Sequence, residues 1–152
     1  MKMSRLKVVI TSVAAVLLAA CAAEPRQIYS GARLSPEKEV RITTESEQSH
    51  GALAPGFDRK IYLVKINGQS LTDGKALIGG QMDPYPIEAY ALPGRIDLDI
   101  RYRYLNRAAD GKLWFDGEAG KEYRVRYRID GYKLLLWVED VTSGKPVGGV
   151  RE

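Results

Sequence analysis

From Val40 onward, apolar residues recur at every second position along most of the chain, the spacing that sends alternate side chains to opposite faces of an extended strand. Val40, Ile42 and Thr44 alternate with Arg41 and Thr43 and predict a first strand. Residues 45–58 are polar, carry Gly51, Pro55 and Gly56, and read as a long loop. Residues 60–66 form a β-branched and aromatic run, and Asn67-Gly68 behind it is a strong two-residue hairpin signal. Residues 71–78 supply a return segment interrupted by Asp73-Gly74, and residues 87–92 a short strand. Pro93-Gly94 suits the central positions of a type II turn. Residues 95–104 are the clearest strand: Ile96, Leu98, Ile100, Tyr102 and Tyr104 share one face, and Asp97, Asp99, Arg101 and Arg103 the other.

Asp110-Gly111 then precedes a short apolar stretch, Leu113-Trp114-Phe115, and residues 122–129 resume the alternation with Tyr123, Val125, Tyr127 and Ile129 inside. Asp130-Gly131 fits a two-residue hairpin turn into residues 132–141. With those two residues as the turn, Tyr127 opposes Leu134, Val125 opposes Leu136 and Tyr123 opposes Val138. Both inward rows are then apolar, and a one-residue slip would expose all of them. About seven short strands with frequent turn signals and no helical period predict an all-β domain, a small antiparallel β-sandwich or open barrel.

The stretch before Val40 is different in kind. Lys2, Arg5 and Lys7 make a positive start, and residues 8–18 are an apolar run short for a bilayer span. The run ends in Leu18-Ala19-Ala20-Cys21. This resembles the lipobox of bacterial lipoproteins, a branched apolar residue and two small residues before a cysteine. The resemblance implies a signal peptide over residues 1–20, cleavage before Cys21, a diacylglyceryl group on the thiol and an acylated new amine. Multiple acyl chains make a stable anchor where one myristoyl chain does not. The alternative is an ordinary secretory signal that leaves Cys21 free. Ala22 in place of an aspartate implies, by lipoprotein sorting in Gram-negative bacteria, transfer to the outer membrane. Residues 21–39, with Pro25, Gly31 and Pro36, read as a lipidated cysteine and tether, Ser35-Pro36 allowing one helical turn; residues 40–152 read as the domain.

A second resemblance covers most of the chain from about residue 60. Leu92-Pro93-Gly94-Arg95, the Leu98, Ile100 and Tyr102 alternation, Leu113 and Phe115, Glu118-Ala119-Gly120-Lys121-Glu122-Tyr123, Trp137-Val138-Glu139-Asp140 and Thr142 followed by Gly144-Lys145-Pro146-Val147 are similar to a pattern in small uncharacterised proteobacterial lipoproteins. Ile66-Asn67-Gly68 resembles their Val-Asp-Gly hairpin. These turn and core residues imply a fold and an envelope location, and they carry over no catalytic residue.

Composition narrows the function classes. The chain has 23 Lys plus Arg, 19 Asp plus Glu, one His and one Cys in 152 residues. Without residues 1–20, 20 basic residues face 19 acidic ones, a charge of about +1 in place of +4, so no excess of positive charge points to nucleic acid. One cysteine allows no disulfide within the chain. The inventory for catalysis is thin: His50 sits alone in the polar loop, and Asp97 and Asp99 share a strand face with Arg101 and Arg103. Asp73-Gly74 and Asp83-Pro84 offer oxygens without the spacing of a calcium loop. No catalytic residue, metal site or cofactor is expected, and an enzyme would need a pocket gathering Asp97, Asp99 or His50.

The outer face of the last hairpin is more informative. In the register above Arg124 faces Trp137, Arg126 faces Leu135 and Arg128 faces Lys133, which invites guanidinium–indole stacking. Leu135 and Trp137 are apolar where the alternation calls for polar residues. They are either covered by another layer, or, with Arg124 and Arg126, a binding surface for a partner. A third reading has Arg124, Arg126, Arg128 and Lys133 meeting anionic lipid headgroups. The expected function is a non-catalytic binding or structural module of the cell envelope, held to the outer membrane by lipid on Cys21 and facing the periplasm. The alternative is a subunit or assembly helper of a larger envelope secretion or transport machine.

Overall fold

The computed structural model describes residues 25–47, 58–71 and 85–151. Eleven strands lie among them: β1 (Arg26–Gln27), β2 (Val40–Thr44), β3 (Lys60–Ile66), β4 (Gln69–Ser70), β5 (Glu88–Ala91), β6 (Gly94–Tyr104), β7 (Arg107–Gly117), β8 (Glu122–Asp130), β9 (Lys133–Asp140), β10 (Lys145–Val147) and β11 (Gly149–Val150). Seven of these, β2, β3 and β5 to β9, have four residues or more; six fall on segments read as strands from the sequence, and β7 spans the Leu113-Trp114-Phe115 stretch. A six-stranded sheet has the order β1-β5-β2-β8-β9-β10, and a five-stranded sheet β11-β7-β6-β3-β4. The sheets pack face to face as a sandwich and do not close into a barrel.

The alternating residues assemble the core. Ile42, Tyr123, Val125 and Val138 from one sheet meet Leu63, Leu98 and Phe115 from the other, each at most 2% exposed. Burying an apolar side chain of this size contributes about 1.5–3 kcal/mol. The Phe115 and Tyr123 rings, 4.6 Å apart at their centroids, join the layers near one end. Tyr102 and Tyr127, 5.3 Å apart, join them near the other.

The pairing departs from expectation in four places. First, β2 lies parallel to β8, with Ile42 opposite Tyr123, and β1 lies parallel to β5. Hairpin logic covers only strands adjacent in sequence, and both neighbours of β2 come from far along the chain. Second, β7 begins at Arg107 and runs through Asp110-Gly111, because the turn is made by Leu105 and Asn106, with Tyr104 opposite Arg107. Leu105 takes the positive φ there, +53°, which gives no glycine signal. Gly111 has a packing role instead: a Cβ on it would stand 2.8 Å from Leu136 Cδ1 in the other sheet. Third, Gly94, expected at the centre of a type II turn, is the first residue of β6 with a φ of +122°, and Pro93-Gly94 carries the chain from β5 in one sheet to β6 in the other.

Fourth, the β8–β9 turn consists of Gly131 and Tyr132, with Asp130 opposite Lys133. Gly131 alone has positive φ, +59°, as a turn with glycine at its first central position requires. The true pairs are shifted by two from the expected ones: Val125 faces Val138, and Tyr127 faces Leu136. A shift of two preserves every inside–outside assignment. Ile129, expected inside, is 46% exposed and lies two residues before the Gly131-Tyr132 turn. By contrast, Asn67-Gly68 forms the expected two-residue hairpin turn, with φ of +51° and +79° and Ile66 opposite Gln69.

The segment expected as a tether is incorporated from Arg26 onward. β1 adds to the sheet beside β5, and the Ile28 amide donates to the Tyr90 carbonyl at 3.0 Å. Glu39, 2% exposed, holds the segment down: it accepts from Tyr29 Oη at 2.8 Å and from Arg33 Nη2 at 2.9 Å. Ser35 to Lys38 make the single turn expected there, Lys38 N donating to the Ser35 carbonyl. Cys21, His50, Asp73 and Asp83, and most of the segment 71–78, lie outside the described residues.

Candidate functional site

The outer face of the six-stranded sheet carries the residues singled out from sequence, and strand alternation puts them there. Even-numbered residues of β8 and odd-numbered residues of β9 point away from the core, so Arg124, Arg126, Leu135 and Trp137 share this face. The shifted register changes their partners: Arg124 faces Glu139, Arg126 faces Trp137 and Arg128 faces Leu135. The expected pairing of Arg124 with Trp137 is therefore absent, since the turn begins one residue later than Asp130-Gly131 implies. Trp137 is half-buried and Leu135 is 38% exposed, both outside the interior of the sandwich.

The arginines of this face are tied to carboxylates on neighbouring strands. Arg126 bridges Glu45 and Glu139, with both N···O distances 3.0 Å. Arg41 reaches Glu88 and Glu122, each at 2.8 Å, and Arg124 reaches Glu122 at 3.1 Å. Glu122 also accepts from the Thr43 hydroxyl at 3.1 Å. Its hydrogen bond from Arg41, despite partial burial and with help from the Tyr90 hydroxyl, holds the Glu88 carboxyl below the usual range. The same bond raises the Arg41 guanidinium. Arg41 and Glu88 therefore hold opposite charges against each other at neutral pH.

Between these strands, where β2 ends and β5 begins, lies an open concavity of about 410 Å³. Thr43, Ser46, Glu88, Arg124 and Arg126 are in its wall, so the structure gathers the two arginines but leaves Leu135 and Trp137 outside it. The Ser46 hydroxyl is buried without a hydrogen-bond partner among the described residues. Hydroxyls beside paired guanidinium and carboxylate groups can donate to and accept from one polar ligand at several points.

Asp97 and Asp99 stand on the other sheet and are engaged by cations. Arg95 reaches Asp97 at 3.2 Å, and Arg151 reaches Asp97 at 3.5 Å and also Asp99. Arg95 in addition lies 4.0 Å over the Trp114 ring. This is the charge-balanced face suggested by the alternation, although Arg101 pairs with Asp110 across the hairpin at 2.7 Å instead.

One cluster escapes sequence reasoning. Tyr127 Oη donates to Glu47 Oε1 at 2.9 Å, and Arg59 Nη1 reaches the same atom at 3.1 Å. The Glu47 and Arg59 backbones also meet, with Glu47 N donating to the Arg59 carbonyl. Burial pushes the Tyr127 phenol well above its ordinary range, and the adjacent Glu47 charge adds to it. Burial opposes ionisation of Glu47, but hydrogen bonds from Tyr127 and Arg59 outweigh it and lower the carboxyl. The signal was faint: an acid and a base flanking a polar loop, with nothing to show that the loop's ends meet over the Tyr102 and Tyr127 rings.

Among the described residues no group of three or more His, Cys, Asp or Glu side chains is arranged to hold a metal ion, and no helix is long and apolar enough to cross a membrane. Compared with protein-family models, curated proteins and solved structures, the chain matches none.

Proposed function

We propose that this chain is an outer-membrane lipoprotein, acylated on Cys21 and facing the periplasm, whose β-sandwich serves as a non-catalytic binding or structural module of the cell envelope. The observation carrying the reading is the order of features at the start: basic residues, an apolar run and Leu18-Ala19-Ala20-Cys21. The fold adds support in that β1 starts at Arg26, five residues after Cys21, so a lipid there brings the sandwich close to the bilayer. The concavity beside Arg124 and Arg126 supports binding of a polar ligand, because its charges are held in pairs and Thr43, Thr44 and Ser46 line it. Tethering raises the effective concentration of such a site toward other envelope components.

The test is the mass of the mature N-terminus together with membrane fractionation of wild type and Cys21→Ser. The expected result is an acylated N-terminal cysteine in the outer-membrane fraction, with both properties lost in Cys21→Ser. A soluble wild-type protein with a free thiol overturns the proposal.

A second reading, a subunit or assembly helper of a larger envelope secretion or transport machine, is favoured by the half-buried Trp137 beside exposed Leu135 on the outer face of the sheet. Crosslinking in cells separates the two. A discrete protein partner, lost in both Cys21→Ser and Trp137→Ser, supports the machine reading; a chain that crosslinks to no discrete protein supports the lone module.

A further inference from the structure

Two hairpins project from the same end of the sandwich. β6 and β7 turn at Leu105-Asn106, and β8 and β9 turn at Gly131-Tyr132. The contact between Tyr102 and Tyr127 places both tips at that end. At and beside the turns Leu105, Ile129 and Tyr132 are exposed by 44%, 46% and 109%. Single exposed apolar residues are ordinary, but three on two hairpin tips at one end of the sandwich are a candidate contact surface. Arg107, Arg128 and Lys133, all exposed, stand among them, against one acid, Asp130, opposite Lys133.

The position of β1 says what meets this surface. Arg26, Ala89, Ile42 and Tyr123 lie in one row across the six-stranded sheet. β1 and β5 run away from the tips while β2 and β8 run toward them, so the chain enters β1 from the tip side. Gly131 is eight residues beyond Tyr123, about 26 Å along the strand at roughly 3.3 Å per residue. Cys21 is five residues before Arg26 and can stand at most about 18 Å from it. When the sandwich is upright, the tips therefore project at least about 8 Å past an anchor on Cys21, enough to reach the 5–10 Å depth of interfacial segments.

We infer that the two hairpin tips are a second membrane contact, with Leu105, Ile129 and Tyr132 in the interfacial layer of the bilayer and Arg107, Arg128 and Lys133 on anionic headgroup phosphates. The inference rests on the acylation of Cys21 proposed above. It differs from a headgroup site on the sheet face: Arg124 and Arg126 are held by Glu122, Glu45 and Glu139, whereas Arg107, Arg128 and Lys133 lie within three residues of the two turns. Tethering and tip insertion together restrict rotation of the sandwich and turn the β9–β10 end toward the periplasm.

The test uses the full-length lipidated protein in vesicles of phosphatidylethanolamine and phosphatidylglycerol. An acylated Cys21 leaves no free thiol, so Tyr132→Cys and, separately, Asn106→Cys and Ser143→Cys each add one labelling site; Ser143 lies in the turn at the far end. A polarity-sensitive fluorophore at 132 or 106 is expected to be quenched by headgroup-borne quenchers at least about threefold more than one at 143. Arg128→Glu with Lys133→Glu is expected to remove most of that difference. Equal quenching at all three sites, with the acyl mass present on Cys21, overturns the tip contact and leaves the anchor standing. A mature N-terminus without acyl mass overturns the anchor, and the tip contact with it.

Discussion

Gly148 lies against the carbonyl group of Trp114: a Cβ added to Gly148 would overlap that oxygen and stand 2.7 Å from its carbon, and the φ of Gly148, +69°, is one that side chains avoid. This residue is the corner at which the chain leaves β10 in one sheet and enters β11 in the other. The two sheets share a strand-like seam on that side, the sandwich's way of covering two edges with one segment.

Gly148→Ala is therefore expected to cost about 3 kcal/mol or more, because backbone overlap adds to the conformational strain. Gly131→Ala is the comparison, since Gly131 has a φ of +59° but open space around it. Its expected cost is about 1 kcal/mol. Urea unfolding of both variants measures the difference, and equal losses would mean that the seam yields easily.

The Glu47–Tyr127 pair predicts the shape of stability against pH. The folded Glu47 carboxyl is lowered from its ordinary 4.5, so the unfolded chain binds its proton more readily. Its contribution is present at neutral pH and is lost as pH falls below about 4.5 and through the folded value. Because the Glu47 side chain is 35% exposed, the contribution is about 1 kcal/mol or less. Tyr127 works at the other limit: its phenol is raised above the ordinary 10.0, so it stabilises the fold up to about pH 10 and loses that stabilisation as pH climbs through the folded value. Glu47→Gln is expected to flatten the acid limb of the unfolding profile. Tyr127→Phe is expected to flatten the alkaline limb of the same profile.

Glu39 predicts how the start of the domain is held. Its buried carboxylate receives both Tyr29 and Arg33, and Arg33 also lies 3.6 Å over the Tyr90 ring. Arg33→Ala with Tyr29→Phe leaves that carboxylate without its side-chain donors, and segment 26–39 is expected to open locally before the sandwich unfolds. The Ile28 amide, bonded to the Tyr90 carbonyl, should then exchange with solvent about tenfold faster or more while Val125 in β8 is unchanged. Unchanged exchange at Ile28 would show that β1 holds without the clamp. Release of β1 would also lengthen the chain between Cys21 and the sandwich, so the same variant should weaken quenching at position 132.

Along the β strands, the sequence by itself determined which way the side chains point. Period two sends Ile96, Leu98, Ile100 and Tyr102 inward whatever strand they pair with, and it survives the two-residue shift in β8 and β9 because two is the repeat of the strand. Turns were legible where glycine or asparagine takes the positive φ, as at Asn67-Gly68, and hidden where Leu105 does. For the candidate site, the common face of Arg124, Arg126, Leu135 and Trp137 followed from alternation alone. Its partners did not: Glu45, Glu88 and Glu122 reach these arginines and Arg41 through the β5-β2-β8 order, and no local pattern encodes a parallel pairing between residues about eighty positions apart. Tertiary structure alone decided that Arg26 and Gln27 join a sheet, that two hairpin tips share one end, and that Gly148 is a corner. Periodicity records only the contrast between core and solvent, whereas strand order depends on which edges remain unpaired as the chain collapses.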